Sequence, residues 1–184
     1  MAEHVVLVVG AMGAGKTTAI TNLSDIETVK TEAGNTERDV VDKETTTVAL
    51  DYGEISLTDS DKLRLYGVPG QKRFDFMWNI LKKRAVGLLV LVKNDADDPG
   101  RDLIEFIEEF KEIHDRGGMV VGITHTDISP FPTMDDYQEL LEEHYPEYLS
   151  PVFTVDPREK ESLLTMLMVL AANVEARELF KNGG

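Results

Sequence analysis

The chain has 184 residues, a formal net charge of −15 and no cysteine, with 42% hydrophobic and 29% charged residues. That size suits one domain, residues 1–184, around one core, and the lack of cysteine excludes disulfides, thiolate metal centres and cysteine nucleophiles. The acidity opposes docking on a phosphate backbone or an anionic lipid surface, so neither is an expected partner; it reads as solubilising charge or as a match for a basic protein partner. The longest apolar run, Ala85 to Val92, is too short to cross a bilayer, and MAEHVVLVVG has neither the basic start nor the cleavage site of a signal peptide. No myristoylation glycine follows Met1. A cytoplasmic protein without a direct membrane anchor is expected.

The first strand covers about Val5 to Val9, and a glycine-rich turn leads into a helix from about Lys16 to Leu23. Residues 25–46 are polar and without period, which reads as a long loop, and loops of that length are commonly functional. TTVALDYGEISL and DKLRLYG form two strands joined by the short link TDSD, an antiparallel hairpin. A helix over about Phe74 to Lys83 precedes the apolar run Ala85 to Val92, which has the pattern of a central strand covered on both faces. RDLIEFIEEFKEIHD places Leu103, Ile104, Ile107, Phe110 and Ile113 at helical spacing. Met119 to Ile123 is the next strand, followed by an acidic helix (Met134 to His144), a strand at Val152 to Val155 and a helix from Pro157 to about Phe180. At that last start Asp156 can cap, Pro157 suits the first helical position and Glu159 can close a capping box. The fold class expected is α/β, with one mixed, mostly parallel sheet of about six strands and helices on both faces.

GAMGAGKT, Gly10 to Thr17, fits G-x-x-x-x-G-K-[ST] between a strand and a helix. Glycine allows backbone N–H groups to approach phosphate oxygens, and a helix start adds positive potential. The candidate phosphate-binding residues are therefore Gly10, Ala11, Gly13, Ala14, Gly15, Lys16, Thr17 and Thr18. Lys16 can reach the β- and γ-phosphates, and Thr17 can bind Mg²⁺. Without ligand chemistry the string is only a glycine-rich turn with an unrelated lysine. The same residues also read G-x-x-G-x-G-K-T, as in nucleoside-monophosphate kinases, but the stretch Thr124 to Tyr148 has no arginine to serve a kinase lid.

GAMGAGKT, TTTVALDYG, VPGQKRF, THTD and TVDPREK fall in the order of the guanine-nucleotide motifs of Ras-like small GTPases. Over nearly its whole length the chain resembles the prokaryotic branch of that family, the bacterial MglA-type polarity GTPases and the GTP-binding proteins of conserved actinobacterial operons. The resemblance implies a P-loop G domain that binds GTP or GDP with Mg²⁺, hydrolyses GTP slowly and acts as a switch.

It also implies residue roles. Thr17 and a switch threonine, Thr47 or Thr46, bind the metal, although threonines also simply suit strand edges. D-x-x-G is reduced to Gly67, Gly70 and Gln71, without its metal-linked aspartate. Asp51, on the same strand face as Thr47, is the candidate replacement carboxylate. Gln71 orients the attacking water, and with Lys16 completes the catalytic pair. Arg38, Lys72 and Arg73 are the nearby cations, none marked out as catalytic. For the base, Asp127 accepts from guanine N1–H and the 2-amino group. Thr124 and His125 stand where the family has Asn and Lys; His125 is a stacking residue or a solvated loop histidine. The last base contact is the N–H of Val155 or Asp156, since Pro157 has none.

The aromatic-rich stretch Phe74, Phe76, Met77 and Trp78 is divided between core packing and a partner contact. The resembled branch uses roadblock-type regulators, which makes a regulatory protein the expected partner of a monomer or weak dimer. Two other readings stay open: a module that holds nucleotide without useful turnover, and an ATP-using phosphotransferase.

Overall fold

The computed structural model describes residues 3–33, 48–68, 75–116 and 118–183. In chain order the elements are β1 (Glu3–Gly10), α1 (Lys16–Leu23), β2 (Val29–Ala33), β3 (Val48–Ser56), β4 (Lys62–Gly67), α2 (Asp75–Arg84), β5 (Ala85–Lys93), α3 (Pro99–Glu109), α4 (Lys111–Arg116), β6 (Met119–Thr124), α5 (Met134–His144), β7 (Val152–Thr154) and α6 (Lys160–Asn182).

They build one sheet of seven strands in the order β2-β3-β4-β1-β5-β6-β7. β1 pairs in parallel with β4 and β5, and β5, β6 and β7 continue in parallel. The β2-β3-β4 side is antiparallel. The α/β architecture read from the sequence is therefore present, with the six expected strands and one more. The addition, β2, lies in the stretch read as a loop. Its sequence, VKTEA, is polar and short, so no period marks it; it is a strand because β3 offers it a ladder at the sheet edge.

Alternation with period two explains how β1 serves two cores. Val5, Leu7 and Val9 face the layer holding Leu103, Ile107 and Phe110 of the α3–α4 segment and Tyr137 and Leu141 of α5. Val6 and Val8 face the layer of Ala19, Ile20 and Leu23 from α1 and Leu163, Met166 and Leu170 from α6. β5 divides likewise, with Leu88, Val90 and Val92 on the first face and Leu89 and Leu91 on the second.

The single helix read over residues 101–115 is two helices. At Phe110 (φ −111°, ψ 27°) the backbone leaves helical geometry. Phe110 and Ile113 are both buried across that break, so the bend turns both side chains into the core on this face of the sheet. α6 starts at Lys160, later than the sequence reading, because residues 156–159 form a turn, closed by the Glu159 N–H donating to Asp156 O at 2.9 Å. Among the described residues no helix is long and apolar enough to cross a membrane.

Because β1, β4, β5, β6 and β7 run the same way, their C-terminal ends meet at one edge of the sheet. Order changes direction around β1, and a crevice opens there.

Leu89 is fully buried in the middle of β5. Leu89→Ala is expected to cost about 2–5 kcal/mol of unfolding free energy, read from urea titration; a loss below about 1 kcal/mol would contradict this packing.

Candidate functional site

The loop between β1 and α1 carries its own reason for glycine. Gly15 caps α1 at φ 104°, ψ 18°, and no side chain caps that helix start, nor is there an acidic residue in its first turn. A Cβ on Gly15 would lie 2.6 Å from Cγ of Pro157, so both the left-handed backbone and the close approach demand glycine. The helix thus presents open N–H groups, as an anion requires. Ala14 is fully buried beneath the loop, while Gly13, Thr17 and Thr18 are exposed along it. Lys16 Nζ donates to the carbonyls of Gly10 at 2.5 Å and Ala11 at 3.0 Å. Burial lowers its pKa to about 8, against the opposing charge of Asp51.

That carboxylate is fixed by sheet register. β3 and β4 pair Asp51 with Gly67, and Thr17 Oγ1 donates a short hydrogen bond to Asp51 Oδ2. A Cβ at Gly67 would stand 2.9 Å from Ile20 Cδ1, 3.3 Å from Asp51 Cβ and 3.6 Å from Asp51 Oδ2. Asp51 therefore fills the space into which a side chain at position 67 would project. The donor set of one hydroxyl and one carboxylate, beside a loop built for phosphate, fits Mg²⁺, which takes few protein oxygens and completes its shell with phosphate and water.

A cleft of about 570 Å³ runs from Gly13, Gly15 and Thr18 to Thr124–Asp127 and Thr154–Arg158. Thr124 is fully buried at the end of β6. Its hydroxyl donates to Val92 O at 3.2 Å and lies 2.9 Å from His125 Nδ1. His125 holds φ at 62°, which turns the chain so that Thr126 and Asp127 follow it along the cleft. Asp127 is exposed.

Of the two backbone donors considered for the base, Val155 is corrected. Its N–H donates to Ile123 O at 2.9 Å, inside the ladder, and it has no second hydrogen to give. The Asp156 N–H has no partner among the described residues. The Asp156 carboxylate is committed elsewhere: it accepts from Arg158 N at 2.9 Å and from the Arg158 guanidinium at 2.7 to 3.2 Å. These bonds hold its pKa down to about 2. Asp156 is thus a turn-former that clamps Arg158 rather than the cap of α6.

The structure brings together Gly10 to Thr18, Asp51, Thr124, His125, Asp127 and Asp156. Thr45 to Thr47, Gly70, Gln71, Arg38, Lys72, Arg73 and the side chains of Phe74, Phe76, Met77 and Trp78 lie outside the described residues. Two supports were not legible in the sequence. Asn22 Nδ2 donates to Pro157 O at 2.8 Å. Buried Asn94 donates to Ser129 O at 2.7 Å and Pro132 O at 3.1 Å and accepts from the Tyr137 hydroxyl at 2.6 Å, anchoring the loop after Asp127. An asparagine directly after a strand is the only signal Asn94 offered, and Asn22, inside α1, offered none.

The Asp51–Gly67 geometry has a checkable consequence. Gly67→Asp alone is expected to destabilise by about 1–3 kcal/mol, since it crowds Ile20 and sets a like charge on Asp51. Adding Asp51→Gly should recover most of the loss in the same urea titration.

Comparison with known proteins agrees with this geometry. The family described as "Conserved hypothetical ATP binding protein" matches residues 25–174. An uncharacterized protein of Methanocaldococcus jannaschii is 30% identical over 137 residues, covering 73% of this chain and 78% of that protein. The crystal structure of the G domain of the T. maritima FeoB iron transporter superposes with a TM-score of 0.59 at 16% identity, covering 96% of this chain and 99% of that one. The chain is thus a nucleotide-binding P-loop domain, and it belongs to the family of conserved hypothetical ATP binding proteins.

Proposed function

We propose that the protein is a guanine-nucleotide switch that binds GTP or GDP with Mg²⁺ and hydrolyses GTP slowly. The observation that carries the base assignment is a matched pair at the far end of the cleft. Asp127 offers a carboxylate with no hydrogen-bond or ion-pair partner among the described residues, and Asp156 offers an unpartnered N–H. Guanine presents the complement, two adjacent donors and an acceptor at O6. Adenine has a bare ring nitrogen where guanine has N1–H, and a carboxylate repels it.

At the phosphate end Lys16 leaves the two loop carbonyls and takes phosphate oxygens in their place, while the open amides of the α1 start hold the rest. Thr17 Oγ1 and Asp51 would hold Mg²⁺. The bound cation neutralises charge on the phosphate oxygens. Thr47 and Gln71 keep their proposed roles, the first at the γ-phosphate and metal, the second on the attacking water. Positioning and charge stabilisation are most of what phosphoryl transfer asks of a protein. No arginine is assigned to the transition state, which suits slow intrinsic turnover and a regulatory partner, in the resembled branch of roadblock type. The switch would be read through residues 25–46 and 68–78, ordered by γ-phosphate and released on hydrolysis. The family description favours a second reading, ATP as the nucleotide.

Phosphate release with GTP and with ATP, each with Mg²⁺, separates the two. GTP should be the better substrate, and Asp127→Ala should weaken GTP binding by roughly tenfold or more, the worth of hydrogen bonds to a charged group, with little effect on ATP. ATP turnover without GTP turnover, or equal loss of both in Asp127→Ala, would refute the guanine assignment.

Binding should also depend on pH through Lys16. Its pKa is about 8 in the open loop, and phosphate charge raises it, so binding takes up a proton once the free amine begins to lose it. Affinity for GDP should be flat up to about pH 7.5 and then fall by up to about tenfold per pH unit above pH 8. Calorimetry in two buffers of different ionisation heat at pH 8.5 should register that proton uptake.

A further inference from the structure

We infer that Lys93 is a nucleotide-contacting residue, which brings a cation from β5 to the flank of the phosphate loop opposite Lys16. This rests on the proposed nucleotide site and deepens it. Lys93 ends β5 and pairs in register with Thr124, one residue before His125. Its side chain is held over the phosphate loop: a Cβ at Gly13 would meet Lys93 Cε at 3.6 Å, an ordinary contact. Gly13 itself lines the cleft.

The Lys93 ammonium is oriented by Asp95, 3.5 Å from Nζ, and Asp95 Oδ1 lies 3.9 Å from His125 Nδ1. One carboxylate thus gathers the lysine and the histidine at a single corner of the site. The two differ in freedom. The His125 ring is pinned to the end of the sheet by its bond to the buried Thr124 hydroxyl, and its short side chain leaves it there. Lys93 has four methylenes and lies along Gly13, with 29% of its side chain exposed. A phosphate tail laid along the loop would come within reach of its ammonium and outbid Asp95, since a dianionic phosphate attracts more strongly than one carboxylate. Lys16 serves the inner side of the loop, at Gly10 and Ala11, so Lys93 adds charge on the opposite flank.

The test is GDP–Mg²⁺ binding by calorimetry for Lys93→Met and Lys93→Arg, with ADP–Mg²⁺ alongside and urea midpoints for each variant. Lys93→Met should weaken GDP roughly tenfold, the scale of a charge-assisted contact, with a shallower salt dependence and an unchanged unfolding midpoint. Lys93→Arg, which keeps the charge at the same strand end, should recover most of the tenfold lost in Lys93→Met. If the base assignment is wrong and ADP is the ligand, the same pattern appears with ADP, because the contact is to the phosphate tail. Lys93→Met binding as tightly as the unaltered protein, or Lys93→Arg binding no better than Lys93→Met, would overturn the inference while leaving the nucleotide site standing. No binding of either diphosphate by the unaltered protein would overturn both.

Discussion

The hydrogen bond between Thr17 and Asp51 ties the two sides of the sheet to one point. Thr17 belongs to the helix that follows the central strand, and Asp51 to an antiparallel strand two places away. Their meeting requires β3 to be in register with β4 and β4 with β1. It also requires position 67 to be empty of side chain. A carboxylate at 67 and one at 51 would contend for the same volume, and two like charges at that distance repel. Glycine at 67 and aspartate at 51 are therefore one arrangement rather than two independent choices. The same point sets the electrostatics of Lys16, where Asp51 partly offsets the cost of burying the amine.

A second constraint links the ends of the cleft. Pro157 sits against Gly15 so tightly that no Cβ fits between them, and Asn22 holds the Pro157 carbonyl from about two turns along α1. The loop that offers Asp156 N–H is thus braced on the helix that offers phosphate-binding amides. Proline at 157 is often read as the opening of a helix, but here it is a strut. Its missing N–H costs nothing, because the turn is closed by Glu159 and Arg158 donating back to Asp156. The distance between the Asp156 loop and the start of α1 is set by direct contact.

Much of this was legible in the sequence, and the failures share a cause. The valine-rich strands, α1 and α5 have local signatures, and their bounds follow from periodicity and caps. The candidate role of Asp51 was visible only as strand parity; that it lies opposite Gly67 is a fact about pairing between distant segments. β2 is polar, so only its neighbour makes it a strand. Val155 and Asp156 were equal candidates as donors until the ladder claimed the Val155 N–H. The Asp156–Arg158 clamp mimics a cap in sequence, since an aspartate before proline serves either purpose. Local chemistry was readable; which partner each polar group finally takes depended on nonlocal register.

The overall charge poses the remaining physical question, how a chain of net charge −15 holds a polyanion. The answer lies in range. At physiological salt, charges beyond about 8 Å are largely screened, so only the immediate surroundings count. There the acids are occupied: Asp51 accepts from Thr17, Asp156 is clamped to Arg158, and Asp95 lies beside Lys93. The phosphate end then presents Lys16 and an uncapped helix start. Asp127, a cleft carboxylate with no hydrogen-bond or close ion-pair partner among the described residues, lies at the opposite end. The cleft is thus electropositive at the phosphate loop and acidic at Asp127.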